Sequence, residues 1–292
     1  MEGKEKNKTL GGVLYLVATP IGNLADLSER ALKVLSEVDF VAAEDTRNSG
    51  LLLSRCGISK PLVSYFEHNK RERGEQIVGR LLAGESCALV TDAGTPAISD
   101  PGEDLVRLCA ERGVPVSSIP GCCAAITALT LSGLPTRRFT FEGFLPTENK
   151  PRRELLAELS RETRTMIFYE APHRLRATLG LLAETFGADR PVTLCRELTK
   201  INEEAIRTTL GEAVALYAEK EPRGEYVLVV GGGTAATATE DFPDDPAEHV
   251  ASLMAGGLDR MEAIKAAAKA RGLSKGTFYA MLEARKSGES DR

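Results

Sequence analysis

The sequence predicts an α/β fold, two α/β domains followed by a small helical appendage, from three observations. Short apolar runs alternate with helical patterns through the first 135 residues, and a second set of strand and helix patterns continues to residue 233. A Gly/Ala/Thr stretch that turns acidic and Pro-rich then separates both from a purely helical tail. Strand–helix alternation of this kind gives a mainly parallel sheet covered by helices. The expected boundaries are a flexible tail at 1–12, α/β domains at 13–135 and 136–233, a linker at 234–246 and a helical appendage at 247–292.

Residues 13–18 (VLYLVA) read as the first strand, followed by a loop at 19–23. A helix is expected from near Asp26, whose carboxylate caps it while Glu29 closes a capping box; Ala31, Leu32 and Leu35 form its buried stripe. Strands follow at 40–43 and 62–65, a helix at 72–82 and a fourth strand at 87–91. In Asp100, Pro101, Gly102 and Glu103 the Asp serves as cap, with Pro at the first helical position. A fifth strand at 114–119 leads to a helix opened by Pro120 and Gly121 and ended by Gly133. Beyond Pro135, strands are expected at 139–144, 165–169, 192–196, 205–209 and 226–230, with helices near 152–160, 173–185 and 212–218; their order in the sheet stays open. The tail at 249–285 carries three short helical patterns, the second capped by Asp259 with Glu262 and the third by Ser274. Such a triplet suits a helix-turn-helix-like unit, and equally a dimerisation or packing appendage.

With 292 residues, 42% hydrophobic and 27% charged, the chain is long enough for about two domains of roughly 100–200 residues each. The first ten residues are polar and Lys-rich without a signal-peptide core, and no apolar run approaches the ~20 residues that span a bilayer. A cytosolic protein is expected. Of its six cysteines, Cys56, Cys87, Cys109 and Cys195 lie in apolar segments and Cys122 and Cys123 are adjacent; with no Cys-x-x-Cys pair and three histidines far from any Cys at metal-ligand spacing, neither a metal site nor a disulfide is expected. The net charge of −5 excludes a generic basic nucleic-acid binder, so any RNA role rests on local basic groups.

The unusual residues cluster where strands end, which is where open parallel sheets bind ligands. Thr19-Pro20-Ile21-Gly22-Asn23 follows the first strand, Glu44-Asp45-Thr46-Arg47 the second, Asp92-Ala93-Gly94-Thr95-Pro96 the fourth and Pro120-Gly121 the fifth. Glycine there lets backbone approach a ligand and proline fixes the loop, although turn formation alone also accounts for each loop singly. A nucleotide triphosphatase is disfavoured: G-x-x-x-x-G-K-[ST] is absent, the first loop lacks G-x-G-x-x-G, and Gly231 to Gly233 open a linker rather than a helix.

Seven segments carry a family resemblance: VATPIGNLADLSERA, AAEDTRNSGLLL, TDAGTPAISDPG, SIPGCCAAITALTLSGLP, FEGFLP, IFYEAPHRL and CRELTK. They resemble the ribosomal RNA small subunit methyltransferase I family, within the tetrapyrrole-methylase-like methyltransferases, from about residue 13 to 230. The resemblance implies two α/β domains with S-adenosylmethionine (SAM) in the cleft between them, and a homodimer. It implies methyl transfer to the ribose 2′-oxygen of a cytidine in the decoding region of 16S ribosomal RNA, with that RNA or the small ribosomal subunit as partner. Carried onto this chain, SAM contacts fall to Pro20, Gly22, Asp92, Gly94, Thr95, Ala97, Ile98, Cys122, Cys123, Ala124, Ala171, Pro172 and Arg196. Residues 254–292 lie outside these motifs and inherit less.

A ribose hydroxyl is a poor nucleophile, so a proton acceptor is expected among Asp45, Glu170, His173 and Glu197. Structural roles compete: a helix-start hydrogen bond for His173, and pairing of Glu44 or Asp45 with Arg47. Two cationic groups suit RNA phosphates, Arg47, His68, Lys70, Arg71 and Arg73 in one, Arg137, Arg138, Lys150, Arg152 and Arg153 in the other, against the plainer reading of solvated faces. Phe144, Tyr65 and Phe66 are candidates to stack a base or to pack in the core. Two rival functions remain: a same-fold methyltransferase for a tetrapyrrole or a modified protein histidine, and a noncatalytic RNA-binding ribosome-assembly module. Against the first, the IGNLADL and AEDTR loops replace a glycine-rich GPGD-type loop.

Overall fold

A computed structural model describes residues 8–233, 243, 245–271 and 273–289, with most of the expected N-terminal tail and linker outside the described residues. The chain forms two compact units: Met1–Ala157 with Arg164–Gly231, and Glu158–Thr163 with Gly232–Arg292. Both sheets belong to the larger unit.

The first sheet holds β1 (Leu14–Val17), β2 (Phe40–Ala43), β3 (Leu62–Ser64), β4 (Cys87–Val90) and β5 (Val116–Ile119) in the order β3-β2-β4-β1-β5. Every pairing is parallel. Side chains alternate between its faces as the strand period requires. Tyr15, Val17, Val41, Ala43 and Val90 pack with α1 (Glu29–Glu37) and α2 (Thr46–Arg55). Leu14, Phe40, Ala42 and Leu89 pack on the other face with α3 (Lys70–Leu82) and α4 (Gly102–Glu111). The connection from β1 passes β4 to reach β2, whereas that from β4 passes β1 to reach β5. Adjacent strands thus send their chains to opposite sides, and the switch point opens a crevice at their carboxyl ends.

Several local details depart from the expected helices. Helix α4 starts at Gly102 with Pro101 as its cap, because the Asp100 carboxylate is spent on the preceding turn, and the helix expected to open at Pro120 starts at Ala124. The cap of α1 is Ser28, whose hydroxyl accepts from Ala31 N, while Asp26 ends a short 3-10 turn capped by Asn23. Ser and Asp serve equally as caps, each worth ~1 kcal/mol, so their chemistry alone does not fix the start. Helix α2 was not expected, because Asn48, Ser49 and Gly50 depress helix propensity at its centre; Asp45 caps it.

Helix α5 (Ala124–Ser132), ended by left-handed Gly133, packs on the second sheet. That sheet runs β6-β7-β10-β8-β9, from β6 (Phe139–Phe144), β7 (Thr165–Glu170), β8 (Pro191–Arg196), β9 (Glu204–Thr209) and β10 (Tyr226–Val230). Only β6–β7 is parallel. Ala125, Ala128 and Leu129 of α5 bury against Ile167, Cys195, Val227 and Val229. The unit also contains α7 (Pro172–Phe186) and α8 (Leu210–Glu219), which pack together, and most of α6 (Asn149–Leu159).

The smaller unit contains α9 (Pro246–Ala255), α10 (Arg260–Ala270) and α11 (Lys275–Glu289) around Val250, Ile264, Ala267 and Phe278. Asp259 accepts from Glu262 N and Ser274 from Thr277 N, the expected caps. Among the described residues no helix is long and apolar enough to cross a membrane.

Candidate functional site

The loops at the carboxyl ends of β1 and β4 are stitched together. Thr19 N donates to Gly94 O (2.9 Å), Gly94 N returns the bond to Thr19 O (3.1 Å), and Thr95 Oγ1 donates to Cys122 O (2.8 Å) before α5. Gly94 holds φ +90°, a backbone region that side chains rarely tolerate. In the following turn Ala97 (φ 68°) and Ser99 (φ 63°) are also left-handed. Asp100 stabilises that turn, its carboxylate accepting from the backbone N–H of Ala97 (3.0 Å), Ile98 (3.3 Å) and Gly102 (2.7 Å). Facing it, a loop with left-handed Glu197 and Thr199 follows β8. The first loop meets this one so closely that a Cβ on Gly22 would lie 2.4 Å from Lys200 Cγ.

These loops and the ends of β7 and β10 enclose a cavity of about 460 Å3 within the larger unit. Expected contact residues Asp92, Gly94, Thr95, Ile98, Cys123, Ala124, Ala171 and Pro172 line it. Pro20 and Gly22 line a second cavity of about 190 Å3, which shares Thr91 and Asp92 with the first. Ala97, Cys122 and Arg196 line neither. Ala97 shapes the turn, Cys122 offers its carbonyl to Thr95, and Arg196 lies 3.3 Å from Glu204 across the β8–β9 pair.

Of the expected proton acceptors only Glu170 reaches the cavity wall, and its carboxylate is engaged. It accepts from Thr178 Oγ1 and Ala171 N and lies 3.4 Å from Arg174 Nε. Asp45 is bound to Arg47 (2.8 Å), whose side-chain and backbone donors hold its carboxyl down to about 2. Glu197 accepts from Lys200 Nζ (2.9 Å) and Glu225 N (3.1 Å), and the Lys200 bond is the main cause of its lowered pKa. His173 is exposed near the start of α7 and lines neither cavity.

Sequence reasoning passed over Glu44 as an acceptor. It lines the cavity, receives a hydrogen bond from Thr91 Oγ1 (3.3 Å), and its pKa is raised by partial burial and by the charges of Asp92, Asp100 and Asp45. Its position at the end of β2, next to Asp45, was the available signal. Lys200, Glu225 and Tyr169 were also missed. Lys200 Nζ is 2.9 Å from both Glu197 and Glu225; burial opposes its charge, but the two carboxylates keep its pKa raised. Burial pushes the Tyr169 phenol up to about 12, and its oxygen accepts from Ala125 N.

None of the expected RNA-contact residues lines either cavity. Arg47 is paired with Asp45, Lys70 with Glu67 and Asp104 (2.7 Å each), and Lys150 lies 4.0 Å from Glu154. His68 packs edge-on against Phe66, Arg73 donates to Gln76 and Arg152 to Asn149. Arg71, Arg137, Arg138 and Arg153 are exposed. Of the three aromatics, Phe144 lines the larger cavity and is half exposed, Phe66 is at the surface, and Tyr65 is buried in the core.

Residues 13–214 match the family model described as Tetrapyrrole (Corrin/Porphyrin) Methylases. A "Ribosomal RNA small subunit methyltransferase I" from Synechocystis sp. is 48% identical over 92% of this chain and 96% of its own length. One of the same name from Escherichia coli O157:H7 is 47% identical over 92% and 93%. The chain belongs to the ribosomal RNA small subunit methyltransferase I family. It is accordingly a SAM-dependent methyltransferase with the tetrapyrrole methylase fold. The fold recurs in cobalt precorrin-4 methyltransferase (TM-score 0.58, 17% identity, 75% of this chain and 95% of that one). It recurs also in a Thermus thermophilus uroporphyrin-III C-methyltransferase complexed with S-adenyl homocysteine (TM-score 0.53, 19% identity, 75% and 96%).

Proposed function

We propose that the larger cavity takes up SAM and that this methyltransferase modifies the ribose 2′-oxygen of a cytidine in the decoding region of 16S ribosomal RNA. The reading extends to a cytoplasmic homodimer acting on that RNA or on the small ribosomal subunit. Family membership carries the RNA target. The observation that carries the donor site is the anionic wall of the cavity: Glu44, Asp92, Asp100, Glu170 and Glu225 face a single Lys200. Such a wall attracts a cationic ligand and repels free phosphate. The size fits as well, since pockets for ligands of this class run to roughly 300–1,000 Å3.

In this reading Asp92, Gly94, Thr95 and Ile98 hold the donor from one side, and Cys123, Ala124, Ala171 and Pro172 from the other. Pro20 and Gly22 fix the first loop, Ala97 and Cys122 shape the wall, and Arg196 supports the end of β8. When bound, SAM supplies a methyl group already activated by a positive sulfur, so the protein's main task is alignment, worth up to roughly 7–11 kcal/mol when ideal. Glu44 takes the hydroxyl proton. Its raised affinity for a proton and its place on the wall suit a general base, whereas Asp45, Glu170 and Glu197 are committed to other donors. The exposed cations Arg71, Arg137, Arg138 and Arg153 meet RNA phosphates away from the acidic cavity.

Small subunits from cells lacking the enzyme, incubated with the protein and methyl-labelled SAM, test this. Label on a cytidine ribose of 16S RNA is expected; label on base, protein or nothing refutes the assignment.

A further inference from the structure

The second cavity is unexplained by the donor site. Its floor is Pro20, Gly22 and Leu24, and its wall is one face of α2, where Asn48, Ser49, Leu52 and Arg55 recur at helical spacing. At about 190 Å3 it falls below the roughly 300–1,000 Å3 of pockets that hold a drug-sized ligand, so it takes a fragment the size of one nucleoside. Thr91 and Asp92 form part of both cavities, so a group held in the smaller one lies next to the contents of the larger.

The lining is amphipathic in a specific way. Leu24 and Leu52 offer apolar surface for a flat ring. Asn48 Nδ2 donates to Asp92 Oδ2 (3.1 Å), which leaves Asn48 Oδ1 and Asp92 Oδ1 as two acceptors at one end. Acceptors there match the 2′-hydroxyl donor by which a protein tells RNA from DNA. Arg55, in the last turn of α2, also lines the cavity and is exposed. Among the described residues no carboxylate pairs it, in contrast to Arg47 at the start of the same helix. An unpaired guanidinium beside a nucleoside-sized pocket suits the phosphate attached to that nucleoside.

We propose that this second cavity is the acceptor subsite, receiving one unstacked cytidine of the RNA. Its ring lies against Leu24 and Leu52, its 2′-hydroxyl faces Asn48 and Asp92, and its phosphate meets Arg55. The ribose then sits at the shared Thr91–Asp92 boundary. Extrusion of a target nucleotide into a fitted pocket is the general solution for enzymes that modify nucleotides within folded nucleic acid. The inference rests on the RNA methylation proposed above.

The test uses the whole chain with labelled SAM and unmethylated small subunits, and measures SAM affinity separately by calorimetry. Arg55→Ala should raise KM for the subunit about tenfold and flatten the salt dependence of RNA binding by about one unit of slope, while SAM affinity stays within about twofold. Leu52→Trp, which fills the cavity, should abolish transfer with SAM still bound. Subunits with an abasic ribose at the target should be methylated at least tenfold less well by the parent protein. An unchanged KM and salt slope in Arg55→Ala overturns the subsite, as does equal methylation of cytidine and an abasic target; the Arg55 and abasic arms decide if Leu52→Trp fails to fold. A parent protein that methylates no ribosomal RNA refutes the function itself, a different outcome from an active parent whose variants match it.

Discussion

Thr19 and Gly94 exchange both of their backbone hydrogen bonds (2.9 and 3.1 Å), so two loops 75 residues apart act as one wall of the larger cavity. The bridge depends on Gly94 at φ +90°, where a Cβ would also lie 3.4 Å from Ile21 Cγ2. A β-branched residue forced into such a backbone costs on the order of 1–3 kcal/mol. Gly94→Val should therefore weaken SAM binding at least tenfold and lower the melting temperature, both measurable on the purified variant. Gly113→Val, also left-handed but with nothing within 4 Å, should share the thermal loss and keep SAM affinity.

Glu44 and Asp45, neighbours at the end of β2, should respond oppositely to pH. The folded pKa of Asp45 is about 2, below the ordinary 3.8, so its ionised form favours folding; that contribution is present above pH 3.8 and lost as pH falls to about 2. Asp45→Asn keeps a capping side chain and removes the charge. It should melt below the parent at pH 7, with the gap closing between pH 3.8 and about 2.

For Glu44 the folded pKa lies above the ordinary 4.5, so its ionised form opposes folding. The penalty is absent below pH 4.5 and grows as pH rises through the folded value. Glu44→Gln should melt above the parent at pH 7 and level with it below pH 4.5. As the proposed proton acceptor it should also lose about 10²-fold or more in kcat with SAM affinity unchanged. A variant with parental kcat would remove Glu44 from the chemistry.

Asp100 accepts from three backbone N–H groups in the strained turn. Asp100→Ala leaves the buried Gly102 N–H without its acceptor, at about 1–3 kcal/mol. Denaturant unfolding should show a loss in that range and calorimetry a weaker SAM affinity. Asp100→Asn, retaining one acceptor oxygen, should recover part of both.

Much of the fold was legible because strand and helix periods are local. The strands at 40–43, 139–144 and 226–230 were bounded as the structure has them, and the caps Asp259 and Ser274 follow from residue chemistry. Helix α2 was hidden by Asn48, Ser49 and Gly50, and with it went the second cavity, because its lining is a helical face. The loops of the larger cavity could be read from their Gly and Pro content. Which carboxylate stays open could not, since that depends on partners brought from elsewhere: Thr178 for Glu170 and Glu225 N for Glu197. Lys200 reaches the wall through a loop whose left-handed Glu197 and Thr199 carry no glycine to announce the turn.

Calorimetric titration of SAM into the whole purified chain tests the donor cavity most directly. Saturable binding of one SAM per chain, weakened at least tenfold by Gly94→Val, is the predicted result. No binding by the parent chain, or equal affinity in the two proteins, would contradict it.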